Sequence, residues 1–439
     1  MLRRHTDGTD DAAKILAALA DRGEADFAAV EPVVREILAA VRAEGDAAVQ
    51  RLQEKLGGRR PERLFVRDYG GARALERLGA KERAALELAA ARIRSFHERE
   101  RDGGFRYEER GVGLGLRVSP VRRAGVYAPG GKARYPSSVL MAAIPAKVAG
   151  VDEVVLATPL SGDASDDALL AAAHLSGVDA IVDAGGAQAI GALAYGTASI
   201  PRCDKIVGPG NIYVACAKRL VFGAASIDSI AGPSEILVVA DASASPDLVA
   251  ADLLSQAEHD EAAYPLFVTS HPPLVDAVER ALEAQLADLP RAAIARASLA
   301  RNGHAFVVAS RARLAAVADT LAVEHVSLQV ADAEDLFAQI RAAGAVFLGH
   351  LTPEAAGDYL AGPSHVLPTG GAVRFGSPLG VYDFVARTSV LRYEAAALHE
   401  QAEAIMAFAR LEGLEAHARA VEHRLGTAVK SRTTGESQL

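Results

Sequence analysis

The 439-residue chain has no tryptophan, three methionines, two cysteines and only 5% aromatic residues. Cys203 and Cys216 form neither a CxxC pair nor a disulfide framework. That excludes a disulfide-stapled secreted scaffold and fits a reducing cytoplasm. Both read as small packing residues, with a nucleophilic cysteine the weaker alternative. An excess of positive charge is also missing. Lys and Arg total 47 against 56 Asp and Glu, for a net charge of −9. The short pairs Arg59-Arg60 and Arg122-Arg123 read as solvated faces, so no nucleic-acid partner is expected. No apolar run has membrane-spanning length, and Met1-Leu2-Arg3-Arg4-His5-Thr6-Asp7 lacks the apolar core of a secretory signal. A cytoplasmic protein without a membrane partner is therefore expected. HExxH, GxSxG and GxGxxG are all missing; Gly111-Val112-Gly113-Leu114-Gly115-Leu116 fails at the third glycine. A zinc-protease helix, a nucleophilic-serine elbow and a standard dinucleotide fingerprint are thereby excluded.

What is present is an ordinary globular balance, 50% hydrophobic and 23% charged, in a chain too long for one core. Val30, Val33, Val34, Ile37, Leu38 and Val41 follow the spacing of one buried helix face, with Pro32 near its start and Gly45 after its end. Asp46 is placed to cap a following helix that carries Val49, Leu52 and Leu56. A long helix is predicted over 80–99. Another is predicted over 136–148, capped by Ser137 or Ser138 and kinked at Pro145. Strand-like runs at 124–128, 153–157, 179–182, 205–207 and 236–239 alternate with helical runs at 166–175, 187–195 and 211–221. Further strands are read at 266–269, 306–309 and 346–348. Such alternation predicts α/β architecture, two parallel sheets covered by helices. The stretch 357–381 is dense in Gly, Pro, Ser and Thr and reads as loop; a helix at 400–411 follows, and 430–439 reads as disordered.

Chemistry first gathers at Leu253-Leu254-Ser255-Gln256-Ala257-Glu258-His259-Asp260. Read as a helix end, it puts Gln256 and His259 on one face, an oxygen and a nitrogen donor able to hold a divalent metal. The alternative is a polar helix end in water. Gly185-Gly186-Ala187-Gln188 and Val207-Gly208-Pro209-Gly210-Asn211 stand where strands should end and helices begin. They are either ligand loops or structural turns. Ser234 has no His or Asp beside it, which disfavours a nucleophile and leaves a ligand contact open to it. Glu-His occurs as Glu258-His259, Glu324-His325 and Glu422-His423, and spacing does not choose a general base among them. Asp358 and His365 lie in the Gly-rich loop, and His417 follows Glu412 near the C-terminus. A zinc site of nitrogen and oxygen ligands is compatible with these residues, but spacing does not select its four members.

Taken together, the motifs at 125–131, 135–141, 185–190, 208–211, 231–235, 255–260, 358–359, 365–369 and 412–417 resemble, in their order, the histidinol dehydrogenase family. The resemblance implies a zinc-dependent, NAD-linked dehydrogenase. It would oxidise L-histidinol to L-histidine through bound L-histidinaldehyde, with two NAD and one zinc per subunit, as the last step of histidine biosynthesis. It implies Gln256, His259, Asp358 and His417 as metal ligands, the last from the partner subunit of a homodimer with shared active sites. Glu324 and His325 would be the acid/base pair, and Tyr127, Gln188 and Asn211 would contact NAD. Ser234, His365 and Glu412 would contact the substrate together with Gln256, His259, His325, Asp358 and His417. Two histidines among the four ligands favour zinc over magnesium. The implied fold is two Rossmann-like parallel-sheet domains with small N- and C-terminal dimerisation segments. Its expected boundaries are an arm at 1–23, a first domain of 24–123 and 236–377 carrying the metal and acid/base residues, an NAD-binding domain at 124–235, and a helical segment at 378–439. Two positions depart from the family pattern. Ala322-Val323-Glu324-His325-Val326 has Val where Pro is usual, and Ser364 stands where Asn is common. They leave open a related dehydrogenase for another polar primary alcohol, such as a dihydroxypropane sulfonate, although Glu412 favours the amino alcohol. A non-catalytic metal-binding protein is the remaining alternative.

Overall fold

The computed structural model describes residues 1–22, 27–130, 135–230 and 232–426. The tail expected to be disordered at 430–439 lies outside them, as do Gly131 and Ala231 of the quoted motifs. The described chain forms two compact units, one within residues 1–101 and 120–384, the other within 102–119 and 385–426.

The first unit holds two six-stranded sheets. In the first sheet the spatial order is Arg3–Thr6, His304–Val307, Tyr264–Thr269, Glu235–Ala240, His325–Gln329 and Ala345–Leu348, all parallel. In the second it is Phe65–Val66, Ala180–Val182, Glu153–Ala157, Arg123–Tyr127, Lys205–Val207 and Ser226–Ile227. Its strands are parallel except the edge pairing of Phe65–Val66 with Ala180–Val182. Each sheet grows outward both ways from its earliest inner strand, Glu235–Ala240 or Arg123–Tyr127, so each has a point where strand order reverses. Helices on both faces bury whole strands: all six residues of Glu235–Ala240 are buried, which is why that stretch reads as a continuous apolar run rather than an alternation. Both cysteines are buried and free, in keeping with packing roles. Among the described residues, no helix is long and apolar enough to cross a membrane.

Several local expectations need correction. The Glu31–Glu44 helix buries Val34, Ile37, Leu38 and Val41, but Val33 falls beside that stripe and is 48% exposed. Asp46 does not cap its helix; its carboxylate instead accepts from Thr197 Oγ1 and from Ser199 N and Oγ. Neither Ser137 nor Ser138 caps the Pro136–Ala149 helix, whose cap residue is Tyr135. The domain boundaries also differ. Helices from Glu31–Glu44 to Ala80–His97 pack on helices of the second sheet rather than with 236–377. The arm at 1–23 adds the edge strand Arg3–Thr6 to the first sheet and lays the Asp10–Ala20 helix on the Arg311–Leu321 helix. Strands Arg3–Thr6 and His325–Gln329 were missed, because the first carries three basic residues in four and the second three polar ones in five.

The second unit is not only helical. Its three-stranded sheet has the order Val385–Tyr393, Val112–Pro120, Phe105–Glu109, the last two antiparallel. The glycines tested above against GxGxxG lie in that sheet and at its turn. The helices Ala395–Leu411 and Glu415–Leu425 complete the unit and pack on each other.

Candidate active site

The Pro246–Ala257 helix ends with Gln256 in its last turn, and His259 follows just beyond. Gln256 is buried, and neither of its amide atoms has a partner among the described residues. The short Glu354–Tyr359 helix adds two carboxylates four residues apart, Glu354 and Asp358, which share one helix face. His259 Nε2 lies 3.9 Å from Asp358 Oδ2. The ligand atoms of His259, Glu354 and Asp358 all fall within 4.8 Å of one another. Two carboxylates and an imidazole, with the orphaned buried amide of Gln256 three residues before that imidazole, fit a divalent cation. Burial is the main cause that raises the carboxyl of Asp358 to about 6 and that of Glu354 to about 7.

Glu324 and His325 enter this site from the start of their strand. His325 is buried, and its Nδ1 donates to Glu235 O at 3.1 Å. A carbonyl only accepts, so Nδ1 carries the proton and Nε2 is left basic. Nε2 lies 3.9 Å from both Glu354 Oε1 and Asp358 Oδ1. Burial first, then His365 and His259, lower the imidazole to about 3 and keep it neutral. Glu324 Oε2 accepts from Glu235 N at 2.9 Å, and burial above all pushes its carboxyl well above the usual carboxylate range. Glu324 also lines a cavity of about 60 Å³ with Ser234, Asp228, Gly208 and His365. That is room enough to admit water.

His365 donates through Nδ1 to Asp358 O at 2.9 Å, and its Nε2 faces Ser138 Oγ at 3.3 Å. The loop that carries it is held by an arrangement legible only in three dimensions. Pro145 has no N–H for the carbonyl of Met141, four residues earlier in its helix. Ser364 Oγ supplies that donor at 3.2 Å and accepts from Val366 N at 3.2 Å. The departure at 364 thus serves the loop backbone. Val323, the other departure, packs in the core.

The residues expected to contact NAD gather at the carboxyl ends of the second sheet's strands. Tyr127 ends the Arg123–Tyr127 strand, and its hydroxyl accepts from Gly186 N at 3.0 Å. Gln188 lies in the first turn of the Gly186–Tyr195 helix, its buried Oε1 without a partner among the described residues and its Nε2 3.4 Å from Gln53 Oε1. Asn211 caps the Ile212–Val221 helix through Tyr213 N and Val214 N. The crevice between Arg123–Tyr127 and Lys205–Val207 is where strand order reverses, the usual ligand position in an open α/β sheet. Gly208 has φ +113, and a Cβ there would lie 2.2 Å from Tyr127 O, so only glycine fits. Its amide donates to Asp228 Oδ2 at 2.8 Å and its carbonyl accepts from buried Lys218 at 3.0 Å. Lys218 is itself paired with Asp228.

Ten of the twelve expected site residues therefore lie in the first unit. Glu412 and His417 lie in the second, at the end of the Ala395–Leu411 helix and in the first turn of the Glu415–Leu425 helix, both exposed. Of the other two Glu-His pairs, Glu258-His259 contributes only its histidine to the cluster. Sequence reading missed Glu354, although its i,i+4 spacing to Asp358 was a usable signal. It also missed Glu235, Gln53 and Lys218, whose roles depend on contacts far along the chain.

The family model for histidinol dehydrogenase matches residues 20–425. A histidinol dehydrogenase of Syntrophotalea carbinolica is 50% identical over 428 residues, 97% of this chain and 99% of that relative. One of Pseudomonas aeruginosa is 50% identical over 396 residues, 89% and 90% of the two chains. The crystal structure of histidinol dehydrogenase from Elizabethkingia anophelis superposes with a TM-score of 0.90 at 32% identity, covering 97% of this chain and 98% of that one. An acetylating aldehyde dehydrogenase from Geobacillus thermoglucosidasius, 13% identical with a TM-score of 0.50 over 88% of this chain and 97% of that one, shares the fold alone. The chain belongs to the histidinol dehydrogenase family, the oxidoreductases of histidine biosynthesis.

Proposed function

We propose that this chain oxidises L-histidinol to L-histidine in two NAD-linked steps at the site around His325, with the aldehyde retained between them. The observation that carries this reading is one contiguous set of groups: a neutral, buried imidazole with a free Nε2, a buried carboxylate on a water-sized cavity, and a donor cluster suited to a cation. Zinc would be held by Gln256, His259 and Asp358, with His417 supplied by a second copy of the chain. When bound, zinc would orient the substrate's nitrogens and NAD would accept the hydride. Tyr127, Gln188 and Asn211 would hold the nucleotide, and Ser234, His365 and Glu412 the amino alcohol.

His325 takes the hydroxyl proton at Nε2 in the first oxidation. Its neutrality makes it a base at once, and the bond from Nδ1 to Glu235 O keeps the ring turned toward the reacting carbon. Glu324 then takes a proton from water, so that hydroxide adds to the aldehyde carbon and the hydrate is ready for the second oxidation. Its burial makes it a stronger base than an exposed carboxylate. Glu354, whose Oε1 has no hydrogen-bond partner among the described residues and lies 3.9 Å from His325 Nε2, is placed to stabilise the imidazolium that forms.

The test separates the two oxidations. NADH formation is followed with histidinol and, separately, with histidinaldehyde. Glu324→Gln is expected to lower aldehyde oxidation by about 10²–10⁴-fold, the usual range for a lost general base, and alcohol oxidation much less. Equal loss of both, or of neither, would sink the role given to Glu324.

A further inference from the structure

Glu235 opens the central strand of the first sheet, and the next residue, Ile236, is in register with His325. This one residue touches the acid/base pair three times. Its N–H donates to Glu324 Oε2 at 2.9 Å, its Oε2 accepts from Glu324 N at 3.3 Å, and its carbonyl accepts from His325 Nδ1 at 3.1 Å. Its Oε1 also accepts from Gly370 N at 2.8 Å, which ties in the loop that follows His365. Glu235 is 1% exposed, and a carboxylate so buried needs a partner.

That partner is Arg22, from the N-terminal segment. Its Nε donates to Glu235 Oε1 at 2.7 Å and its Nη2 to Oε2 at 2.6 Å, a two-pronged pairing that fixes the plane of the carboxylate. The remaining donors go to carbonyls: Nη1 to Leu19 O at 2.6 Å and Leu321 O at 2.7 Å, and Nη2 to Ala322 O at 3.4 Å. Leu321 ends its helix, and Ala322 follows with φ 46 and ψ 61. That left-handed conformation is disfavoured for a residue with a Cβ. Two residues later comes Glu324. One guanidinium therefore joins the turn that leads into the acid/base strand to the carboxylate that orients its side chains. Lysine has neither the fork nor enough donors for this.

We propose that Arg22 and Glu235 are positioning residues for Glu324 and His325, acting through them rather than on substrate. The proposal rests on the reading of Glu324 as the base of the second oxidation. Arg22→Met and Arg22→Lys in the full chain, each with and without Glu324→Gln, test it through the rates of alcohol and aldehyde oxidation. Arg22→Met should lower kcat for the aldehyde about 10–100-fold, the scale of a small misplacement of reacting groups, and change the KM for NAD less than about 3-fold. Arg22→Lys should lose less. In the Glu324→Gln background, neither Arg22 substitution should reduce aldehyde oxidation further, because coupled residues are not additive. The same fold-loss in both backgrounds would overturn the proposal, since a general loss of structure acts with or without the base. Should Arg22→Met fail to fold, Arg22→Lys carries the same comparison, and a loss from it that persists with Glu324→Gln overturns the proposal equally. If Glu324→Gln alone leaves aldehyde oxidation intact, the base assignment fails first and this proposal with it.

Discussion

At the scale of single residues, the site depends on buried polar atoms whose partners are few and specific. Ser364 answers a carbonyl freed by a proline 219 positions earlier in the chain, and holds His365 beside it. Ser364→Ala should cost about 1–3 kcal/mol, because it strands a buried acceptor, and should raise the KM for histidinol. Denaturant unfolding together with steady-state kinetics checks both effects; unchanged values for each would show that the serine supports nothing. The carboxyl of Glu324 makes a second residue-scale prediction. Its acid strength is weakened by burial and by the nearby Glu235, Asp358 and Glu354 carboxylates. As the base it must be ionised, so aldehyde oxidation should rise with pH to a midpoint above the ordinary carboxylate value of 4.5. A pH–rate profile that keeps the same limb in Glu324→Gln would assign that limb to another group.

At the scale of elements, the first strand shows how an unpromising stretch is stabilised. Arg3–Thr6 has little apolar surface, yet it pairs along its whole length with His304–Val307. Its one inward residue, His5, meets His304 Nδ1 at 2.9 Å through Nε2 and packs near Phe306. Burial, aided by Arg3 and His5, lowers His304 to about 4 from 6.5. Between those pH values the unfolded chain binds a proton that the folded chain does not. Stability therefore falls as pH drops from about 6.5 to about 4 and is regained as pH rises. Thermal unfolding across this range should show the loss in the native chain and a smaller one in His304→Gln; parallel curves would place the acid sensitivity elsewhere.

At the scale of the whole molecule, the proposed function divides its work between the two sheets. The second sheet presents Tyr127, Gln188 and Asn211 at its strands' carboxyl ends. The first presents Glu324 and His325 at the opposite, amino end of its own strands. Asp228 and Ser229, just after the edge strand of one sheet, and Gly232 and Ser234, just before the central strand of the other, line the same cavity as Glu324. The proposal that a second copy supplies His417 has a mixing test. His417→Ala and Glu324→Gln chains, each nearly inactive in aldehyde oxidation alone, should regain that activity when unfolded and refolded together, since a mixed dimer holds one complete site. Zinc content should fall in His417→Ala alone. Failure to regain activity despite demonstrated mixed dimers would mean that His417 does not act across chains.

The parallel α/β architecture was legible because buried strands and their covering helices leave an alternating apolar signal, as at 153–157 and 236–239. The glycine turns before Gln188 and Asn211 were legible for the same local reason. Spacing by itself put Gln256 and His259 on one helix face, whereas Asp358, Glu324 and His325 were given roles only through the family resemblance. Tertiary structure alone decided the rest. It assigned 27–97 to the second sheet, because amphipathic helices advertise that they pack but not on what. It put Arg22 against Glu235 and Ser364 against Met141, pairings between residues more than 200 positions apart. A lone polar residue in a sequence looks the same whether it faces water or completes a buried network. Only the folded chain supplies the partner that makes the difference.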